Sequence, residues 1–92
     1  MAAKIEVEKI DKSKFRVRIS ESASETIHEV IVNPNDYTTF AGDNVQPEEL
    51  VRRSFEFLLE REPKESILTC FDLSVISRYF PEYEREMKIR FS

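Results

Sequence analysis

The chain has 92 residues, 40% of them hydrophobic and 35% charged, which suits one domain with a single core and no metal or disulfide staple. Seven Phe and three Tyr are too many for a disordered chain, and a single Gly leaves no phosphate-cradling Gly loop. A formal net charge of −4 argues against whole-domain binding to nucleic acid or to an anionic membrane.

Ile5 and Val7 alternate with Lys4, Glu6 and Glu8, the periodicity of a strand. Asp11-Lys12-Ser13 reads as a turn, although it lacks the Gly that three-residue hairpin loops favour. Phe15, Val17 and Ile19 then alternate with Lys14, Arg16, Arg18 and Ser20 as a second strand. Pairing Val7 with Val17 sets Glu8 opposite Arg16 and Glu6 opposite Arg18, and opposite charges of this kind support a hairpin. A two-residue slip pairs Glu8 with Lys14 and Glu6 with Arg16, so two registers satisfy the charges. Residues 20–25 are small and polar and predict a loop. Residues 26–32 form the third strand, with either of two faces inward. If Ile27 and Ile31 face the core, Glu29 is buried between them at a cost. The preferred reading opposes Val17 to Val30, turns His28, Val30 and Val32 inward, and places Arg18 between Glu6 and Glu29.

Asn33, Pro34 and Asp36 signal a short helix, with Asn33 as N-cap, Tyr37 and Phe40 as apolar contacts and Gly42 as its stop. The segment 47–62 is the longest helix. Leu50, Val51, Ser54, Phe55, Phe57, Leu58 and Leu59 span roughly 200° of its wheel, against about 100° for an ordinary surface helix. Such a helix is central, covered on more than one side. Pro47 fits its first position, Gln46 is a poor cap, and Glu48–Arg52 and Glu49–Arg53 are i,i+4 pairs worth about 0.2–0.5 kcal/mol each. Pro63 ends it. Beyond it, 66–71 predicts a helical piece with Ile67, Leu68, Cys70 and Phe71 apolar. Asp72 is the N-cap of a helix over 73–80 that buries Leu73, Ile76 and Phe80. After Pro81, 82–87 gives a last turn or two, and 88–92 reads either as a short strand or as a frayed helix end.

The expected fold is α+β in a single domain, 1–92: a three-stranded antiparallel meander, order 1-2-3, within 4–32, and helices from 33–92 packed on one face. Cys70 is the lone cysteine, which excludes an internal disulfide and fits a reducing compartment. The start, Met1 to Glu6, has no apolar targeting core, and no apolar run nears a membrane span. A cytoplasmic protein without membrane contact is expected.

His28 and Cys70 are the only residues of their kinds, so a Cys–His nucleophilic pair is the one enzymatic option, though no spacing or motif supports it. Cys70 reads instead as a small hydrophobe, and His28 as a half-buried strand residue hydrogen-bonded to a neighbour. Zinc and calcium ligand spacings are missing, and no cofactor is expected. Lys12, Lys14, Arg16 and Arg18 form a basic stripe, the alternative reading being a nucleic-acid-binding face. Phe15 points away from those charges, however, and glutamates neutralise them. Glu82, Glu84 and Glu86 read as a solvated face. The surplus of apolar residues is more informative. Where the later helices fail to cover the central one, Phe57, Leu59, Tyr79, Phe80 and Tyr83 are the candidate interface.

The segments Phe57-Leu58-Leu59-Glu60-Arg61-Glu62-Pro63-Lys64-Glu65-Ser66-Ile67-Leu68 and Arg78-Tyr79-Phe80-Pro81-Glu82-Tyr83, with the His28-Glu29-Val30 strand, resemble a group of small uncharacterised prokaryotic proteins. That resemblance implies no activity. Strands followed by a Pro-Glu-Glu-Leu helix also resemble small antitoxin folds in that pattern alone. The leading expectation is a non-enzymatic domain that works through protein contacts, with a partner or with a second copy of itself.

Overall fold

The computed structural model describes residues 3–21, 23–41 and 45–91, apart from the side chains at 36, 39–41 and 91. Strands β1 (Lys4–Lys9), β2 (Lys14–Glu21) and β3 (Ser24–Ile31) are followed by helices α1 (Pro34–Ala41) and α2 (Pro47–Leu59). A 3-10 turn (Lys64–Ser66) leads to strand β4 (Cys70–Asp72), then helices α3 (Ser74–Tyr79) and α4 (Tyr83–Phe91). The α+β reading holds, but the sheet is four-stranded and mixed. Its order is β1-β2-β3-β4, and β4 runs parallel to β3.

β1 and β2 pair in the register that opposes Val7 to Val17, Glu6 to Arg18 and Glu8 to Arg16. In the second hairpin the inward face is as expected and the register is not. His28 and Val30 are buried strand residues and Val32 is buried just beyond, but Val17 faces His28, and Val30 faces Phe15. The two-residue difference arises because the strands continue through most of the expected loop, until only positions 22 and 23 separate them. A polar Ser/Glu stretch still has its ladder hydrogen bonds to gain when both strands are already in place. Arg16, rather than Arg18, therefore lies between two glutamates, 3.4 Å from Glu8 and 3.9 Å from Glu29. Arg18 turns to Glu25 at 3.7 Å.

The segment expected as a helical piece, 66–71, keeps only Ser66 in the 3-10 turn; beyond it the chain is not helical and leads into the fourth strand. The Glu29 amide donates to the Thr69 carbonyl at 2.8 Å, and the Leu73 amide to the Ile31 carbonyl at 2.8 Å. Asp72 Oδ1 accepts from the Ser74 amide at 3.0 Å and its hydroxyl at 2.9 Å, which opens α3 as an Asp cap would. Asn33 opens α1 through its carbonyl, which accepts from the Tyr37 amide at 2.9 Å, while its side-chain amide donates to Asp72 Oδ2 at 2.9 Å. The starts of α1 and α3 are thereby tied together. The Phe40 side chain and Gly42 lie outside the described residues.

α2 is the central helix. Leu50, Val51, Ser54, Phe55, Phe57 and Leu58 are all buried along it. Phe55 stacks obliquely on Phe71 and on the His28 ring from the sheet side, at 5.9 and 5.5 Å between centroids. On the other side Phe57 takes the edges of Phe80 and Tyr83, at 5.9 and 5.3 Å. Ser54 donates to the Leu50 carbonyl at 2.7 Å, so the Tyr83 hydroxyl donates to Ser54 Oγ at 2.6 Å. The wet arc carries the Glu49–Arg53–Glu56 chain, both contacts at 3.1 Å. Arg52 does not take Glu48 but donates to the Ile5 carbonyl at 2.7 Å, pinning β1 to α2. Of the two readings of 88–92, the helical one holds over the described residues: α4 runs to Phe91, with Tyr83 and Met87 on its buried face. Arg61 and Arg90 fasten α4 to the end of α2, through Glu82 at 3.1 Å and Glu60 at 2.9 Å. Arg61 also sits over the Phe57 ring, its Cζ 3.6 Å from the centroid.

Candidate interaction groove

The chain after α2 builds one concave apolar site. Pro63 and the 3-10 turn reverse the chain, with the Ser66 amide donating to the Pro63 carbonyl at 2.9 Å. The extended stretch that follows sends consecutive side chains to opposite sides. Ile67 is buried in the core, while Leu68 is 49% exposed. Leu68 is held from behind, since its carbonyl accepts from His28 Nδ1 at 2.8 Å. β4 then turns Phe71 inward as a floor, and α3 brings up Val75 and Ile76. With Leu58 and Glu62 at the end of α2 as the far wall and Tyr79 and Phe80 closing the rim, the cavity measures about 400 Å³. That volume lies within the usual range for binding pockets. Among the described residues, Glu62 is the one acidic side chain that lines it.

Of the five candidate interface residues, Tyr79 and Phe80 come together on this rim. Phe57 and Tyr83 are fully buried, each spent on the packing between α2 and α4, and have no surface to offer a partner. Leu59 is partly buried against the core and does not line the groove. Sequence reasoning missed Leu68, Val75 and Glu62. The one available signal was the pair Ile67-Leu68, because in an extended chain two adjacent apolar residues cannot both face inward.

His28 and Cys70 are not a pair. His28 is buried, its ring satisfied by Leu68 and by Thr26 Oγ1 at 2.9 Å. Cys70 opposes Glu29 on the outer face of the sheet, where it is exposed, not packed among Ile67 and Phe71 as expected. β3 alternates, so the imidazole and the thiol lie on opposite sides of the sheet. Of the basic stripe, Lys14, Arg16 and Arg18 lie on that outer face and are ion-paired, Lys14 and Arg16 with Glu29 and Arg18 with Glu25, while Lys12 lies in the turn before β2. A shallow hollow there, about 190 Å³, has Glu6 and Glu8 beside Arg16 and Arg18 and presents no net cationic surface.

Lys64, Glu65 and Glu82 are engaged within the fold. Lys64, only 3% exposed, meets Glu65 at 2.6 Å and Glu21 at 3.7 Å and so ties the 3-10 turn to the end of β2. Its hydrogen bond to Glu65 raises the lysine above its ordinary range, and the same bond lowers Glu65. Glu82 is also lowered, first by its own backbone amide and then by Arg61. Among the described residues, no group of three His, Cys, Asp or Glu is placed to hold a metal ion. No helix among them is long and apolar enough to cross a membrane. Comparison with protein-family models, curated proteins and solved structures finds no match for this chain.

Proposed function

We propose that this chain is a small non-enzymatic protein-interaction domain, and that the groove between Leu68, Phe71, Val75 and Tyr79 is its contact surface. One observation carries the reading: an apolar cavity of about 400 Å³ stands open beside two large side chains, Leu68 and Tyr79, that are 49% and 69% exposed. Elsewhere on the sheet and helices the large apolar residues are mostly consumed by the core. A concavity with unspent apolar rim residues is where a partner gains most from excluding water.

The test is affinity capture with Leu68→Asp and Val75→Asp, using Ile27→Asp on the opposite face of the sheet as control. Proteins held by wild type and control, and lost by both groove variants, support the reading. If the groove variants retain the same set and also leave the mass of the chain in solution unchanged, the groove is not the contact surface.

A further inference from the structure

We infer that the groove is occupied by a second copy of this chain, in a twofold dimer that exchanges Arg78 and Tyr79. The inference rests on the groove being a contact surface and adds the identity of the partner. A cavity lined by aliphatic and aromatic side chains with one carboxylate, Glu62, selects an occupant that offers an aromatic ring next to a cation. The chain displays that combination itself: Tyr79 lines the rim of the same cavity, and Arg78 precedes it in α3. Tyr79 is 69% exposed at the end of α3, and Arg78 beside it is exposed.

Charge complementarity favours the second copy. The charged side chains that flank Glu62 in sequence find partners within the chain: Glu60 takes Arg90, Arg61 takes Glu82, and Lys64 takes Glu65. Among the described residues, Glu62 and Arg78 take part in no ion pair. A twofold interface is self-complementary, so a contact from residue i to residue j recurs from j to i. A knob (Tyr79), a hole (the groove), an anion in its wall (Glu62) and a cation next to the knob (Arg78) meet that condition twice over. Each Tyr79 ring enters the opposite groove, and each Arg78 lies against the opposite Glu62. Tyr and Arg are also the side chains that most often dominate interface energy.

Sedimentation equilibrium on the whole chain, across a wide concentration range, reads this directly. The mass rises from 10.9 kDa toward twice that value as concentration increases. Glu62→Arg and Arg78→Glu each place like charges across the axis and weaken the dimer by about tenfold or more. The double exchange, Glu62→Arg with Arg78→Glu, recovers most of the affinity, which no unfolding effect would do, and Tyr79→Ser abolishes association. A mass of 10.9 kDa at every concentration overturns the dimer. So does a double exchange as weak as the single variants. Groove-dependent capture of another protein by a strictly monomeric chain would refute the dimer and leave the contact surface standing. If capture is also indifferent to Leu68→Asp, both readings fall.

Discussion

The carbonyl of Leu68 can only accept, so Nδ1 of His28 carries the proton, and in the neutral ring Nε2 accepts from the Thr26 hydroxyl. This is one side chain reaching from the middle of the sheet to the backbone that forms the groove wall. Nitrogen-15 NMR is expected to show the Nδ1–H tautomer. His28→Leu fills the space but deprives the Leu68 carbonyl of its donor. It should lower unfolding free energy by about 1–3 kcal/mol in urea titration, and an unchanged midpoint would deny the link any weight. The inward direction of His28 was legible, because the alternative buried Glu29. Its partner was not, since nothing local to 26–32 announces a carbonyl 40 positions away. Cys70 misled for a related reason. Its apolar neighbours suggested burial, but in a strand alternate residues separate, and Cys70 falls on the wet side.

At the level of elements, α4 shows how charge fixes a helix that its own sequence supports weakly. Glu82 stands just ahead of its first residue, lowered by its own backbone amide and by Arg61. A carboxylate depressed in the folded state contributes stability that is fully present above its unfolded value. That contribution is lost as pH falls through the depressed folded value. Thermal melts should therefore drop on the acid side, below the ordinary carboxylate range, and Glu82→Gln should flatten that limb while leaving the neutral plateau slightly lower. A wild-type melt independent of acid pH would remove the argument. Strands β1 and β2 and helix α2 were readable from alternation and from the wide apolar arc, because their patterns repeat over enough residues to be distinguished. β4 was not. Three residues carry no measurable period, and Ile67, Leu68, Cys70 and Phe71 mimic helical spacing. What makes them a strand is the waiting edge of β3, a property of another part of the chain.

Across the whole molecule, helices cover one face of the sheet and a ladder of paired charges covers the other. Phe71 joins the layers, standing on the late strand against Phe55 of the central helix. Phe71→Ala should cost about 3–5 kcal/mol. Amide exchange should locate the damage: the Glu29 amide, bonded to Thr69 across the last pairing, should lose protection more than the Glu8–Arg16 region of the first hairpin. Equal loss everywhere would mean that β4 opens only with global unfolding. The meander, the central helix and part of the groove rim followed from pattern. The groove itself did not, because its shape depends on how three segments after Pro63 meet.

The parallel placement of β4 bears on how the chain comes into being. A hairpin closes with its own neighbours, and the first three strands can pair as soon as they exist. The fourth must wait for two helices and a turn to be made, and until then the β3 edge holds open backbone donors beside Val30. An unfinished chain thus offers a sticky seam to any strand that passes. Translation that pauses before position 72 should be the moment of greatest aggregation, and the last third of the sequence, which carries the groove, also acts as the seal.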